Sequence, residues 1–154
     1  MLAADPDLLL VPNFRLARGI ALTRTNRATQ ALPLLLDPGL TSNPEACLWR
    51  MVAYQQINQP AAALGEIACA VSAINRRALI NARPYILIAA RAALARRQPG
   101  RAFGWLKQLP DNDSAAELLR GQALLAQGKE TEARTRLNFA RDNGRPGERA
   151  DAQM

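Results

Sequence analysis

The apolar positions of this chain recur at helical spacing, with very small side chains at fixed places among them. Ala31, Ala63, Ala102 and Ala133 are each followed four residues later by a larger apolar residue: Leu35, Ile67, Leu106 and Leu137. Residues four apart share one face of a helix, so each pair marks an apolar stripe. No four-residue stretch alternates apolar and polar between hairpin turns, the mark of a half-buried strand. Gly19 and Gly121 lie 102 residues apart, three periods of 34. Repetition at that period marks stacked helix pairs, which make binding surfaces rather than reaction vessels.

The helix ends are written in the sequence as well. Asn43–Pro44–Glu45 supplies a capping side chain, a proline in the first turn and an acid at the positive end of the helix dipole. Ser114 and Glu117 have the spacing of a capping box. Asn26, Asn58 and Gly128 stand where a helix must end in a left-handed residue, which Asn and Gly adopt cheaply. Pro38–Gly39, Pro99–Gly100, Pro110, Gly144 and Pro146 mark further breaks. These signals predict helices at 12–25, 27–36, 44–57, 60–78, 82–97, 100–108, 114–127 and 130–142, with Pro33 distorting or shortening the second. Short connections make neighbouring helices antiparallel. The expected organisation is an N-terminal extension at 1–11, a helical repeat domain at 12–143 and a flexible tail at 144–154. Leu8 to Leu10 are expected to contribute to a cap on the first pair.

The fourth pair carries Gly121, Leu124, Gly128, Ala133, Leu137 and Ala140, then Pro146. The first repeats it with Gly19, Leu22, Asn26, Ala31 and Leu35. The second keeps Tyr54, Asn58, Ala63, Ile67 and Ala70, and the third Ala90, Ala93, Ala102 and Leu106, with Arg97 at the turn. Over about residues 12–142 this resembles the tetratricopeptide (TPR) repeat family. The resemblance implies an all-α fold, a right-handed α-solenoid of about four antiparallel helix pairs. Arg15, Arg18, Arg50 and Arg120 depart from it, standing where the family usually has apolar residues. The first helices of such an array line a concave groove that takes a peptide or protein segment. That inner wall would carry Asn13, Leu16, Ile20, Thr23 and Arg24; Leu48, Val52, Gln55 and Gln56; Leu87, Arg91 and Leu94; and Leu118, Gln122 and Leu125. Hydrophobic contacts would give affinity there, and Asn13, Thr23, Arg24, Gln55, Gln56, Arg91 and Gln122 would fix register.

Composition agrees with close helix packing: 49% of residues are hydrophobic and only 5% aromatic. The apolar runs are too short to span a bilayer. The first twelve residues have Asp5 and Asp7 before the leucines and no positive segment, unlike a secretory signal. A cytoplasmic location is favoured, with the periplasm open if a signal was removed, and the Ala/Arg-rich style suggests a bacterial source. Cys47 and Cys69, each in an apolar helical stretch, read as small buried hydrophobes, with a disulfide between neighbouring helices as the alternative. Trp49 and Trp105 are expected between repeats.

Charge adds a second candidate surface. The chain carries a formal net charge of +7, and between Glu66 and Asp111 there is no acid. That stretch holds Arg76, Arg77, Arg83, Arg91, Arg96, Arg97, Arg101 and Lys107. Uncompensated cations attract an acidic protein partner or a polyanion such as nucleic acid. The bland alternative is a solvated helix face, and Arg76, Arg77, Arg96 and Arg97 fall near helix ends where the dipole favours cations. Few aromatics stand nearby to stack on bases, and no nucleic-acid motif is present. A structural spacer or self-association repeat is a further reading.

Chemistry is sparse. There is no histidine, so the commonest general base is missing, Ser72 and Ser114 have no imidazole to activate them, and a metal site would rest on carboxylates and thiols alone. Asp111, Asp113 and Glu117 cluster at a helix start, where capping explains them. The expectation is a non-enzymatic interaction module with no cofactor and no metal.

Overall fold

A computed structural model describes residues 11–144; the Leu8–Leu10 cap and the tail beyond Gly144 lie outside them. Among the described residues the fold is all-α, with no strand. The chain divides into two compact units at Ala78–Leu79. In the first are α1 (Pro12–Arg24), α2 (Ala28–Leu35), a 3-10 turn at Pro38–Leu40, α3 (Pro44–Gln56) and α4 (Pro60–Asn75). In the second are α5 (Leu79–Ala95), α6 (Pro99–Leu106), α7 (Ser114–Ala126) and α8 (Glu130–Asn143).

Each unit contains two helical hairpins, α1–α2 and α3–α4 in the first, α5–α6 and α7–α8 in the second. All four turn the chain in the same way. One residue takes the left-handed conformation: Asn26 (φ 58°), Asn58 (φ 56°), Arg97 (φ 56°) and Gly128 (φ 76°). The amide of the following residue then reaches five residues back, from Arg27 to the Leu22 oxygen, Gln59 to Tyr54, Gln98 to Ala93 and Lys129 to Leu124, at 2.8–2.9 Å. This 6→1 bond satisfies a carbonyl that the helix end would orphan.

Small residues then let the two helices of a hairpin approach. Ala31, Ala63, Ala102 and Ala133 are fully buried, as are Leu35 and Leu106. A Cβ added to Gly19 would fall 2.6 Å from Leu35 Cδ2, and one added to Gly121 would fall 2.6 Å from Leu137 Cδ2. Glycine is required at both positions by the leucine of the facing helix, not by backbone conformation. In the first unit Ala28, Leu32 and Ala53 form a further apolar cluster, covered by Tyr54 and Ile57.

The structure corrects several expectations. Cys47 and Cys69 are not separate buried thiols; they form a disulfide joining α3 to α4, with a Cα–Cα distance of 5.8 Å. The cap of α7 is Asp113, whose side chain accepts from the Ala116 amide. Ser114 is the first helical residue, and Glu117 points to arginines instead of closing a capping box. Asn43 caps α3 as its sequence implies, accepting from Glu45 and Ala46. Pro33 sits inside α2, which runs only eight residues. α4 ends at Asn75 and α5 begins at Leu79, with Pro84 inside it. Trp105 is half-buried, whereas Trp49 is 5% exposed.

Candidate functional site

Arginines organise the interior of both units. Arg50 on α3 is 4% exposed. Its guanidinium donates to the Leu35 oxygen at 2.9 Å and the Leu40 oxygen at 3.3 Å, and to Thr41 at 3.1 Å and Glu66 at 2.9 Å. Arg120 on α7 is 5% exposed and does the same for the end of α6. It donates to Leu106 at 2.6 Å, Leu109 at 2.7 Å and Pro110 at 3.3 Å. Each places a cation at the negative end of the preceding short helix and fills carbonyls that helix leaves open. Arg15, the third departure from the apolar pattern, pairs with Asp37. That pairing, joined by the Gly39 amide, holds the Asp37 carboxyl below its ordinary value. Sequence reasoning marked these arginines as misfits and missed their role.

The residues expected on a groove divide into two kinds. Thr23 is fully buried, and its hydroxyl donates to the Gly19 oxygen at 2.8 Å. Its own carbonyl accepts from Gln56 Nε2 at 2.8 Å, which ties α3 to the end of α1. Thr23 therefore offers a ligand no side-chain contact, and Gln56 has its amide donor engaged. Leu48, Leu87 and Leu118 are core residues. By contrast Asn13 and Arg91 are exposed and Gln55 and Gln122 are half-buried. None of these four side chains bonds to another described residue. The exposed Arg24 lies 5.1 Å from the centroid of the Trp49 ring, a cation–π contact from α1 to α3. Of the residues expected on the groove, Asn13 and Gln55 in the first unit and Arg91 and Gln122 in the second are thus the ones with no side-chain bond to another described residue, while Arg24 is exposed but rests on Trp49.

The basic stretch is less bare than the sequence implies. Arg77 pairs with Glu45, and Arg83 grips both oxygens of Asp113 at 2.5 and 2.9 Å. Burial pushes the Asp113 carboxyl up, but the hydrogen bonds from Arg83 and the Ala116 amide outweigh it, leaving it below its ordinary value. Arg76 turns back to the Ser72 oxygen and Arg101 to Gln98. Among the described residues of this stretch Arg76 in the first unit, and Arg91, Arg96, Arg97, Arg101 and Lys107 in the second, form no salt bridge with an acid.

An open depression of about 360 Å³ in the second unit is lined by Glu117, Glu132, Thr135, Arg136 and Phe139. Glu117 is 3% exposed. It accepts from Arg120, and both its oxygens accept from Arg136 at 2.9 Å. Its lone pairs are committed to holding the hairpin together, and the ion pair raises the Arg136 pKa above its ordinary value.

No protein-family model, curated protein or solved structure matches this chain. Among the described residues no cluster of three or more His, Cys, Asp or Glu is placed to hold a metal ion. No described helix is long and apolar enough to cross a membrane.

Proposed function

We propose that the chain is a TPR-like α-solenoid of about four antiparallel helix pairs. It acts as a non-enzymatic module that binds a peptide or protein segment along the wall formed by its first helices. The observation that carries this reading is the repetition of one hairpin geometry at Asn26, Asn58, Arg97 and Gly128. It is reinforced by the same glycine-to-leucine approach in the first and last pairs. Identical hairpins stack through small residues and leave their first helices on one side. On this reading Asn13 and Gln55 in the first unit, and Arg91 and Gln122 in the second, would face the ligand; their side chains make no bond to another described residue, as suits residues that fix a ligand's register.

A photo-crosslinker placed at Gln55 or Gln122 tests the reading against one at Arg134, an exposed position on the second helix of the last pair. The expected result is capture of one protein species from both first-helix positions and none from Arg134, unchanged when salt is raised. Equal capture at all three positions overturns it.

A second reading rests on the five acid-free cations between Arg91 and Lys107. They would form a surface for a polyanion or an acidic partner, with Arg77 and Arg83 engaged by Glu45 and Asp113 and Arg76 lying in the first unit. It predicts binding that weakens steeply with salt and that is lost on neutralising Arg96, Arg97 and Arg101 together.

A further inference from the structure

The two units place different chemistry at the same point of the same hairpin. Cys47 and Cys69 stand eleven residues before and eleven after Asn58, the turn residue of α3–α4. Glu117 and Phe139 stand eleven before and eleven after Gly128, the turn residue of α7–α8. The second hairpin keeps its form with no covalent link at that level, held instead by Glu117 between Arg120 and Arg136. Arg50 and Arg120 occupy equivalent places, eight residues before their turns. Arg50 Nη2 lies 3.0 Å from Cys47 Sγ, where Arg120 meets the Glu117 carboxylate. The second unit therefore displays what an anion at the Cys47 position looks like, with its arginine still bonded to the helix-end carbonyls.

We propose that Cys47–Cys69 is a reversible thiol–disulfide site: its reduction leaves the fold intact and leaves Cys47 as a thiolate held by Arg50. Access sets the direction of attack. Cys69 is half-buried and Cys47 fully buried, so the thiolate of an incoming dithiol reaches Cys69 Sγ. A new S–S bond forms to Cys69 as the Cys47–Cys69 bond breaks, and the electron pair leaves with Cys47 Sγ. The second thiol of the reductant, once deprotonated, attacks its own sulfur in the mixed disulfide. That step releases the reductant as a cyclic disulfide and Cys69 as a thiolate, which takes a proton from water. Two electrons have passed from the dithiol to the protein.

A neighbouring cation makes Cys47 the better leaving group. The charged groups reaching it are Arg50 from α3 and, through Arg50, Glu66 from α4. Burial and the Thr41 carbonyl oxygen, 3.6 Å away, favour the protonated thiol. Against both stands the Arg50 guanidinium at contact distance, a cation that Cys47 shares with Glu66, and an ionised donor bonds a thiolate more strongly than a carbonyl dipole repels it.

The Cys69→Ser variant, which leaves Cys47 as a single thiol, tests this through thiolate ultraviolet absorbance against pH. Far-UV circular dichroism of the wild type is recorded with and without excess dithiothreitol. The expected result is unchanged helicity on reduction and a Cys47 midpoint at least one pH unit below the usual value of about 8.5. Glu66→Gln in the Cys69→Ser background frees Arg50 from its acid and moves that midpoint lower still. Loss of helicity on reduction, or a Cys47 midpoint at or above the usual value, overturns the proposal.

Discussion

Arg120 holds the last carbonyl of the helix that precedes its own, with Nη2 2.6 Å from the Leu106 oxygen. Arg50 makes the equivalent bond to Leu35, the last residue of α2, from a position 70 residues earlier. Both short helices contain only eight residues and end inside the protein. Neither is long enough to be stable without such help. The arginines thus explain why a residue that looks misplaced by pattern sits at the centre of each unit.

Replacing either arginine with methionine preserves much of the apolar stem and removes every donor. The buried carbonyl of Leu35, or that of Leu109, then loses its guanidinium donor, and those of Leu40 and Leu106 keep only a backbone amide, from Asn43 and Leu109. The expected cost is about 3–5 kcal/mol for each variant, the range for breaking a buried charged network by removing one partner. Arg120→Lys should recover only part of it, since one ammonium cannot reproduce the planar fork. Urea unfolding midpoints read this directly. A loss no larger than that of an exposed control such as Arg134→Met would show that the carbonyls do not depend on the guanidinium.

Gly19→Ala opposes two effects of similar size. Alanine raises helix propensity by about 1 kcal/mol, yet its Cβ would fall 2.6 Å from Leu35 Cδ2 and 2.7 Å from Cγ. Leu35 is fully buried and has nowhere to turn. Overpacking should win, with a net destabilisation of about 1–3 kcal/mol. In a Leu35→Ala background the same substitution should become neutral or stabilising, because the truncated side chain vacates the contested space. A double-mutant cycle with no coupling between the two positions would refute the contact.

Helix positions were legible because their ends carry short-range chemistry. Asn43 acts through its side-chain oxygen on amides two and three residues on, and Asn58 and Gly128 through a turn closed by a backbone bond five residues long; such signals survive in a single sequence. The α7 cap was misread because Asp113 and Ser114 are adjacent and both are capping residue types; tertiary pairing of Asp113 with Arg83 favours the aspartate. The ion pairs Arg77–Glu45 and Arg83–Asp113 span 32 and 30 residues, so the acid-free stretch appeared uncompensated in one dimension only. The disulfide had a usable signal: its two cysteines are equidistant from Asn58. Residues equally spaced about an αα-hairpin turn face each other, a rule that Arg50 and Glu66 also follow at eight residues on either side. Among the candidate groove residues, exposed Asn13 and buried Thr23 were alike by sequence. Only the packing of α1 against α3 separates them.

Arg97 occupies a conformation that its three counterparts fill with Asn or Gly, at φ 56°. A long L side chain in the left-handed region costs about 1–2 kcal/mol. Arg97→Gly removes that strain, although glycine gives back part of the gain by freeing the unfolded chain. The expected net stabilisation is about 1 kcal/mol, which raises the melting temperature by about 2–4 °C at this chain length. A melting temperature unchanged or lowered would mean that the Arg97 side chain contributes contacts worth more than the strain.

Acid should unfold the chain through three carboxyls, two in the first unit and one in the second. Hydrogen bonding by Arg15 leads the lowering at Asp37. At Glu45, burial pushes the carboxyl up, but donors from Arg77 and Trp49 more than reverse it. Asp113 follows the same balance, with Arg83 as its partner. A carboxyl whose pKa is depressed by folding stabilises the folded state above its unfolded value, here 3.8 for aspartate and 4.5 for glutamate. That stabilisation disappears as pH falls through the lower folded value. With no histidine in the chain, side-chain titration leaves stability nearly flat around neutrality. Thermal melts should therefore show a plateau above about pH 5 and a decline below about pH 4. Asp113→Asn keeps an acceptor for the Ala116 amide while removing the charge that Arg83 grips. It should lower the plateau and flatten the acid limb relative to wild type. A wild-type melting temperature that stays constant down to about pH 2 would show that these pairs do not bear on folding.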